Sequence, residues 1–214
     1  MAQKNNLHIV AFNVPYPPDY GGVIDIFYKI RSLSEEGIKI YLHCFQYGRK
    51  KSSELERYCE KVFYYNRNKG LKYALSKKPF IVAGRNHPDL LSNLAGNKAP
   101  IFFEGLHTCY FIGHPKLKEY KKIIRTHNVE HDYYSQLAKS ETNIFKRIYF
   151  NKEAKKLKRF ESVVSNANTL ITISPSDQEY FNNIHPNSIW VPAFHENEKV
   201  ISKSGKGTFF LFHG

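Results

Sequence analysis

The sequence predicts an α/β fold in which a parallel sheet carries helices on both of its faces. Short apolar runs alternate with segments of helical periodicity, which is typical of parallel strands joined by crossover helices. The chain has 214 residues, of which 42% are hydrophobic, enough for one such domain with a buried core. Strands are predicted at residues 7–12, 38–45, 61–65, 101–104, 122–126, 169–174 and 188–191.

Helices are predicted between several of these strands. Residues 23–36 place apolar side chains on one stripe, and Gly37 follows where a residue without a Cβ readily ends a helix. Another helix is expected from the third strand to about residue 76. Residues 143–166 form one long, basic helical stretch. Its apolar residues at roughly helical spacing are Phe145, Ile148, Tyr149, Ala154, Leu157 and Phe160, and its basic residues are Lys146, Arg147, Lys152, Lys155, Lys156, Lys158 and Arg159.

The composition divides the chain into three parts. Residues 1–191 hold the predicted strands and helices. Residues 192–207 are polar and carry Gly and Ser, as a linker does. The apolar run at 208–212 then predicts one more strand. We therefore expect an α/β domain at 1–191, an interdomain linker at 192–207, and the first strand of a second domain at 208–214.

The formal net charge of the chain is strongly positive, at +13. The chain also contains three cysteines. Nucleic acid, an anionic membrane and phosphorylated substrates would each explain this charge, as would a solvated surface with no partner. Basic residues are spread over many segments without an RRM, KH or helix-turn-helix signature, so no nucleic-acid partner is expected. For the helix at 143–166, both a solvated basic face and a contact with an anionic membrane are open interpretations.

The cysteine count and the N-terminal sequence indicate a location. An odd number of cysteines without metal-ligand spacing is typical of free thiols in a reducing compartment. The first residues lack the apolar run of a signal peptide. No stretch of the sequence reaches the roughly 20 apolar residues of a spanning helix. We expect a cytoplasmic protein, with peripheral attachment to the inner membrane face as the membrane interpretation of its charge.

A glycine pair opens the first predicted helix directly after a proline-rich loop. Gly21 and Gly22 let backbone N–H groups approach a ligand, and a helix N-terminus adds unpaired donors and a positive dipole. These features suit a diphosphate, although a plain tight turn would look the same. The segment lacks the GxGxxG and Walker patterns, so neither a dinucleotide site nor a P-loop is favoured. Tyr20 precedes the pair and is expected to line the same cleft.

Polar side chains follow three later strands at the edge where ligands bind in such sheets. Glu104 and His107 follow the fourth strand, where a histidine can hold a substrate hydroxyl or carry charge. The fifth strand is followed by a dense polar cluster that contains Arg125, His127, Asn128 and Glu130. Such a density of polar groups at a strand end is unusual for packing alone.

Two further patterns in this part of the sequence point to weaker hypotheses. His127 and His131 stand four residues apart with Glu130 between them, but the order is not HExxH and a third ligand is missing, so no metal is expected. Ser174 ends the sixth strand before a proline. Helix capping explains this serine well, and no G-x-S-x-G elbow is present.

These motifs, in this order, resemble the N-terminal domain of family-4 glycosyltransferases, which have two facing Rossmann-like domains (the GT-B architecture). The segments that carry the resemblance are P-Y-P-P-D-Y-G-G, E-G-L-H, R-T-H-N-V-E, T-L-I-T-I-S-P-S and V-P-A-F, with the terminal F-F-L-F-H-G resembling the first strand of the second domain. The resemblance covers nearly the whole chain. Its motifs are loose, but their order and their placement at strand ends are fairly specific.

The resemblance implies an activity and assigns roles within it. Family members transfer a sugar, typically a hexose, from a nucleotide-sugar donor to an acceptor hydroxyl, with retention and without a metal or other cofactor. Gly21 and Gly22 would lie against the donor diphosphate, and His107 would contact the donor sugar near the reaction centre. The cleft would be lined on the acceptor side by Tyr20, Asp25, Glu104, Arg125, His127, Asn128, Glu130 and Ser174.

Several consequences of the resemblance stay open at this point. The acceptor is expected to be a glycan or a lipid-linked molecule. The second domain supplies most donor contacts in the family, so this chain alone is expected to be inactive. Family members often have small residues after the glycine pair, whereas this chain has Val23, Ile24 and Asp25; we expect Asp25 to favour the positive helix end rather than to orient an acceptor. A basic module that binds nucleic acid or another polyanion, and a sugar-nucleotide epimerase of the same build, are the alternative functions.

Overall fold

The computed structural model describes residues 5–197, 199 and 205–207 and contains one seven-stranded, fully parallel sheet with the order β3-β2-β1-β4-β5-β6-β7. The first six strands follow the doubly wound order. Strands β2 and β3 are added on one side of β1, and β4, β5 and β6 are added on its other side. The strands are β1 (Asn6–Ala11), β2 (Lys39–Gln46), β3 (Lys61–Asn66), β4 (Ile101–Glu104), β5 (Lys122–Thr126), β6 (Thr169–Thr172) and β7 (Ser188–Trp190). The predicted parallel α/β sheet is confirmed.

Seven α-helices connect and cover these strands in the described part of the chain. They are α1 (Gly21–Glu35), α2 (Leu71–Ala74), α3 (Phe80–Ala83), α4 (Pro88–Ala95), α5 (Glu130–Ser140), α6 (Ile144–Phe160) and α7 (Pro175–Asn182). Short 3₁₀ helices lie at Ser53–Arg57, Leu106–Phe111, Pro115–Leu117 and Glu161–Asn166. Gly37 ends the first helical segment with φ of +76°, a conformation that favours glycine. No helix of the described residues is both long and apolar enough to cross a bilayer.

Alternate residues of the central strands feed two separate cores, one on each face of the sheet. On one face, Ile9 and Phe102 pack with Ile26 and Ile30 of α1. On the other face, Val10, Phe103, Ile124 and Leu170 pack with side chains from α4, α7 and the 3₁₀ helices. Cys44 and Cys109 are buried and Cys59 is partly buried, and all three are free thiols, as the odd count predicted.

The structure corrects several predicted elements. The helix expected after β3 is a single turn, α2, and the long helix predicted at 143–166 ends at Phe160 and continues as a 3₁₀ helix. The apolar stripe of that helix is buried only in its second half: Leu157 is fully buried, whereas Phe145 is 79% exposed. Helices α3, α4 and α5 were not predicted. The strand predicted at 208–212 lies outside the described residues, so the predicted three-part division stays a prediction.

Candidate functional site

The carboxyl ends of β1, β4 and β5 bring most of the predicted site residues to one place. These three strands are neighbours in the sheet, with β1 paired to β4 and β4 paired to β5. The loop after β1 leads to Gly21, the loop after β4 carries His107, and the loop after β5 carries His127. The sheet order therefore creates one cleft edge from segments that lie about 20 to 100 residues apart in the chain.

The glycine pair forms the first turn of α1, but its two members have different surroundings. A Cβ at Gly21 would meet no atom within 4 Å, whereas a Cβ at Gly22 would lie 2.8 Å from the ring of Phe12. Tyr20, the N-cap residue, makes no side-chain cap, and the first N–H groups of a helix have no acceptor within it. Gly21 thus leaves the helix N-terminus open, and Gly22 makes room for Phe12.

Beneath this edge lies a chain of buried ion pairs, which consists of Glu104, Lys29, Asp25 and Arg125. The Lys29 ammonium lies 2.7 Å from Glu104 and 3.1 Å from Asp25. The Arg125 guanidinium donates two hydrogen bonds of 2.8 Å to Asp25. All four side chains are at most 3% exposed. Because removing one member would leave another charge buried without a partner, these residues form one electrostatic unit.

This unit corrects the expectation for Asp25. Its carboxylate does not serve the helix end; it accepts hydrogen bonds from Arg125 and from the Phe194 N–H at 2.8 Å. Burial alone would raise the pKa of Asp25, but Lys29, Arg125 and the Phe194 N–H outweigh burial and lower it to about 2. Arg125 also donates to the carbonyls of Val191 and Pro192. The four charged residues therefore hold the segment that follows β7, residues 191–194, against α1.

Three residues predicted to line the cleft are instead buried under it. Asp25 is 2% exposed, Arg125 is 1% exposed and Glu104 is fully buried. The His127 Nε2–H donates to Glu104 at 3.1 Å, and because the His127 side chain is 10% exposed, this bond links the buried residues to the surface.

His107 lies at the cleft edge, and one nitrogen of its ring has no hydrogen-bond partner among the described residues. Its side chain is 21% exposed, and its ring packs against Phe12 at 5.3 Å between centroids. Gly105 supports this placement with φ of +69°, and a Cβ there would lie 2.8 Å from His107 Nδ1. That Nδ1 is buried and has no hydrogen-bond partner among the described residues. The unused hydrogen-bonding capacity of the ring at Nδ1 therefore lies beneath the cleft, on the side of Glu130.

Glu130 faces this nitrogen, with Oε1 3.7 Å from His107 Nδ1. Burial raises the pKa of Glu130 to about 7; Arg85 opposes this shift and Glu161 adds to it. Burial also holds the pKa of His107 well below its usual range, helped by Arg85 and His127. At neutral pH the site thus pairs a neutral imidazole with a carboxyl group that is near its midpoint of protonation. A group near its midpoint is suited to accept or donate a proton.

The remaining predicted site residues lie on the surface. Tyr20 is 43% exposed and lies against the Arg49 guanidinium at 5.0 Å from its ring centroid. Asn128 is exposed after β5. Ser174 caps α7 by accepting a hydrogen bond of 3.1 Å from the Asp177 N–H, so the capping interpretation of this serine is confirmed.

The carboxylates of this region do not make a convincing metal site. Asp25, Glu104 and His127 each offer an atom within 4.8 Å of the others. However, the Lys29 ammonium already lies against both carboxylates, and a cation in that position competes with a metal ion. His131 turns away from His127 and bonds to Glu161. The expectation that no metal is needed stays a prediction.

Sequence reasoning missed three residues that shape the site. Phe12 packs between His107 and His127. Arg85 is 3% exposed and donates to the Phe12 carbonyl from Nε and Nη2 at 3.1 and 2.8 Å. Lys29 bridges the two buried carboxylates. The spacing of Asp25 and Lys29, four residues apart in a predicted helix, was a usable signal for that pair; nothing in the sequence marked Arg85.

Two cavities lie at opposite edges of the sheet. One of about 480 Å³ adjoins the proline-rich loop at the carboxyl edge and is lined by basic residues, Arg49, Lys50 and Lys51 among them. A larger one of about 970 Å³ lies at the amino edge, where Leu33, Phe102 and Ile123 line it. The smaller cavity is lined by Pro17 and Asp19 of the loop that precedes the glycine pair, and its three basic residues against one acidic residue suit an anionic ligand.

Comparisons with known proteins agree with this architecture. No family model matches the chain. A protein of Klebsiella pneumoniae, described as an uncharacterized 44.6 kDa protein in the cps region, is 26% identical over 195 residues, which cover 86% of this chain and 48% of that protein. Sucrose-phosphate synthase from Thermosynechococcus elongatus has a TM-score of 0.55 at 11% identity and covers 87% of this chain. UGT2 of Phytolacca americana, without ligand, has a TM-score of 0.52 at 10% identity and covers 90%.

The chain spans about half the length of the proteins it matches: 48% of the Klebsiella protein, 47% of the synthase and 52% of UGT2. At such low identity the solved structures show the fold alone. Both are glycosyltransferases of the GT-B architecture, and their sheets match the one described above. The chain therefore has the Rossmann-like fold of one half of a GT-B glycosyltransferase, as the sequence predicted.

Proposed function

We propose that the chain is the acceptor-side half of a glycosyltransferase that moves a sugar from a nucleotide-sugar donor to an acceptor hydroxyl. The observation that carries this proposal is the meeting of three features at one sheet edge. These are the open helix N-terminus at Gly21, the ring of His107, which is 21% exposed, and Glu130 with its pKa near neutrality.

The proposed chemistry assigns the helix N-terminus to the leaving group. The diphosphate gains negative charge as the bond to the sugar breaks, and N–H donors at Gly21 and Gly22 stabilise charge that develops there. His107 is the proposed contact to the donor sugar. Because its imidazole is neutral, it interacts through hydrogen bonding rather than through charge. Glu130 Oε1, at 3.7 Å from Nδ1, would have to approach the ring to set its tautomer by a hydrogen bond.

The finer assignment rests on the resemblance to family-4 enzymes. It comprises retention at the anomeric carbon, a hexosyl donor, a glycan or lipid-linked acceptor, and no metal or other cofactor. The buried ion-pair unit supports the absence of a metal role, because Lys29 already compensates the carboxylates. The proposal also includes a second domain, since the family's donor-recognition residues lie there, and a cytoplasmic location.

The test is nucleotide release and sugar transfer, measured over a panel of nucleotide sugars. A longer protein that carries the proposed second domain should release nucleotide from one donor, and this 214-residue chain alone should not. His107→Ala in the longer protein should lower turnover with a small loss of melting temperature, because the ring loses its packing against Phe12 while its Nδ1 makes no hydrogen bond among the described residues. Full turnover in that variant would remove His107 from the site. Interconversion of two donors without transfer would instead indicate an epimerase.

A further inference from the structure

Several large apolar side chains are exposed at one end of the molecule. On the first two turns of α6, Phe145 is 79% exposed, Ile144 is 47% and Ile148 is 45% exposed. At the two ends of α2, Leu71 is 75% exposed and Leu75, which directly follows the helix, is 77% exposed. We call these five side chains, with the basic residues around them, the hairpin surface. Three of these side chains lie within five residues of one another on α6 and the other two within five residues near α2, and grouped apolar exposure marks a binding surface more often than a solvated one.

The hairpin surface projects past the same sheet edge that carries the candidate site. Helix α5 begins at Glu130, just beyond the carboxyl end of β5, and His131 at its start contacts Glu161 just after the end of α6. The two helices are therefore antiparallel. At 1.5 Å per residue, the start of α6 lies about 24 Å from its end along the axis. Helix α2 follows the carboxyl end of β3 and is joined to α6 by the Lys156 ammonium, which donates to the Ala74 carbonyl at 2.8 Å.

The same two segments account for most of the net positive charge of the chain. Residues 67–78 contain five basic residues and no acidic one. Residues 142–160 contain seven basic residues and one acidic residue, Glu153, which is 1% exposed and paired with Lys156. Together they carry a net charge of +11 out of +13. The basic residues are Arg67, Lys69, Lys72, Lys77, Lys78, Lys146, Arg147, Lys152, Lys155, Lys156, Lys158 and Arg159.

We propose that the hairpin surface docks on an anionic lipid bilayer, with its five apolar side chains in the interfacial layer and its basic residues on the headgroups. Apolar side chains flanked by lysine and arginine are the composition that such an interface binds. A symmetric contact with a second copy would bring two surfaces of +11 together, which charge repulsion opposes. Nucleic-acid binding would use stacking rings, and Phe145 is the sole aromatic among the five.

The docking has a consequence for the site that rests on the proposed function. The cleft edge and the hairpin surface lie on the same side of the sheet, so a docked molecule would hold its cleft near the headgroups. That position suits an acceptor whose hydroxyl is carried by a membrane lipid. The inference therefore selects the lipid-linked class from the two proposed acceptor classes.

Vesicle binding by the 214-residue chain tests the docking without reference to activity. The chain should cosediment with vesicles of phosphatidylcholine and phosphatidylglycerol, and much less with phosphatidylcholine alone. Phe145→Ser combined with Leu75→Ser should lower the partition coefficient at least roughly tenfold, since two exposed apolar groups lose their burial in the interface. Both positions are more than 75% exposed, so the variant should keep the melting temperature of the parent.

A matched pair of charge variants tests whether vesicle binding depends on the hairpin surface or only on the overall positive charge of the chain. Lys146→Glu with Arg147→Glu should lower binding at least roughly tenfold. Lys116→Glu with Lys118→Glu makes the same charge change near the amino edge of β5 and should change binding little. Equal losses in the two variants, or unaltered binding in the apolar variant, would overturn the proposal. So would tighter binding to a random oligonucleotide than to the anionic vesicles, or concentration-dependent dimerisation that the apolar variant abolishes. None of these outcomes depends on transferase activity.

Discussion

Asp25→Asn removes the centre of the buried ion-pair unit while keeping the shape of the side chain. The native carboxylate accepts two hydrogen bonds from Arg125 and one from the Phe194 N–H, and it lies 3.1 Å from the Lys29 ammonium. In the variant, Lys29 keeps Glu104 as its partner, whereas Arg125 loses its carboxylate. We expect a large loss of stability because buried charges are then left without compensation.

The magnitude follows from two independent estimates. Removal of one partner from a buried ion pair costs about 3–5 kcal/mol. A carboxyl pKa that folding lowers from 3.8 to about 2 corresponds to about 2.5 kcal/mol at neutral pH. Because the folded pKa lies below the unfolded one, this stabilisation is present above about pH 4 and is lost as the pH falls toward 2. A loss of 3 kcal/mol in a chain of this size lowers the melting temperature by about 10 °C.

The assay is thermal unfolding followed by circular dichroism at neutral pH and across the acid range. Glu35→Gln is the matched control: it removes one negative charge from the same helix, but its carboxylate is 59% exposed and pairs with Arg31 at the surface. Such exposed pairs contribute at most about 0.5 kcal/mol. If Asp25→Asn melts at the same temperature as Glu35→Gln, the reasoning that links the four buried charges is wrong.

Two further predictions concern the cleft. Folding raises the pKa of Glu130 from 4.5 to about 7, so stability should fall by about 3 kcal/mol as the pH rises through that window; Glu130→Gln should remove this slope in denaturant unfolding measured against pH, and a retained slope would contradict the assignment. Gly22→Ala places a Cβ 2.8 Å from the Phe12 ring and should cost about 1–3 kcal/mol, whereas Gly21→Ala meets open space and should leave stability unchanged or slightly higher. Equal melting temperatures for the two glycine variants would contradict the described packing of Phe12.

The strands of the sheet were predictable because each is a short apolar run between breaks. β4 and β5 were predicted with the bounds observed, and the start of α1 at Gly21 followed from the glycine pair. The predicted cleft residues do gather at the carboxyl edge, since a parallel sheet brings its strand ends together. The parallel arrangement of the predicted strands was therefore enough to predict the edge of the sheet at which the candidate site lies.

The depth of individual side chains was not predictable from the chain. Glu104 and Arg125 were expected in the cleft because they are polar and end strands, but Lys29 and Asp25 from α1 bury them through contacts that span up to 100 residues. The opposite error occurred at Phe145, where helical periodicity suggested a buried stripe. The α5–α6 hairpin extends past the sheet, so the first turns of α6 have no core to pack against. Periodicity shows which side chains share a face, while tertiary contacts decide what that face meets.

The central claim is that the open N-terminus of α1 receives the donor diphosphate, and one affinity measurement tests it most directly. The dissociation constant of the donor would be measured by calorimetry for the longer protein, with Gly21→Val and, as control, Gly96→Val at the end of α4, where a Cβ meets only ordinary contacts at 3.5 Å. The account predicts at least roughly tenfold weaker donor binding in Gly21→Val and little change in Gly96→Val. Equal affinity in the two variants would place the diphosphate elsewhere and contradict the account.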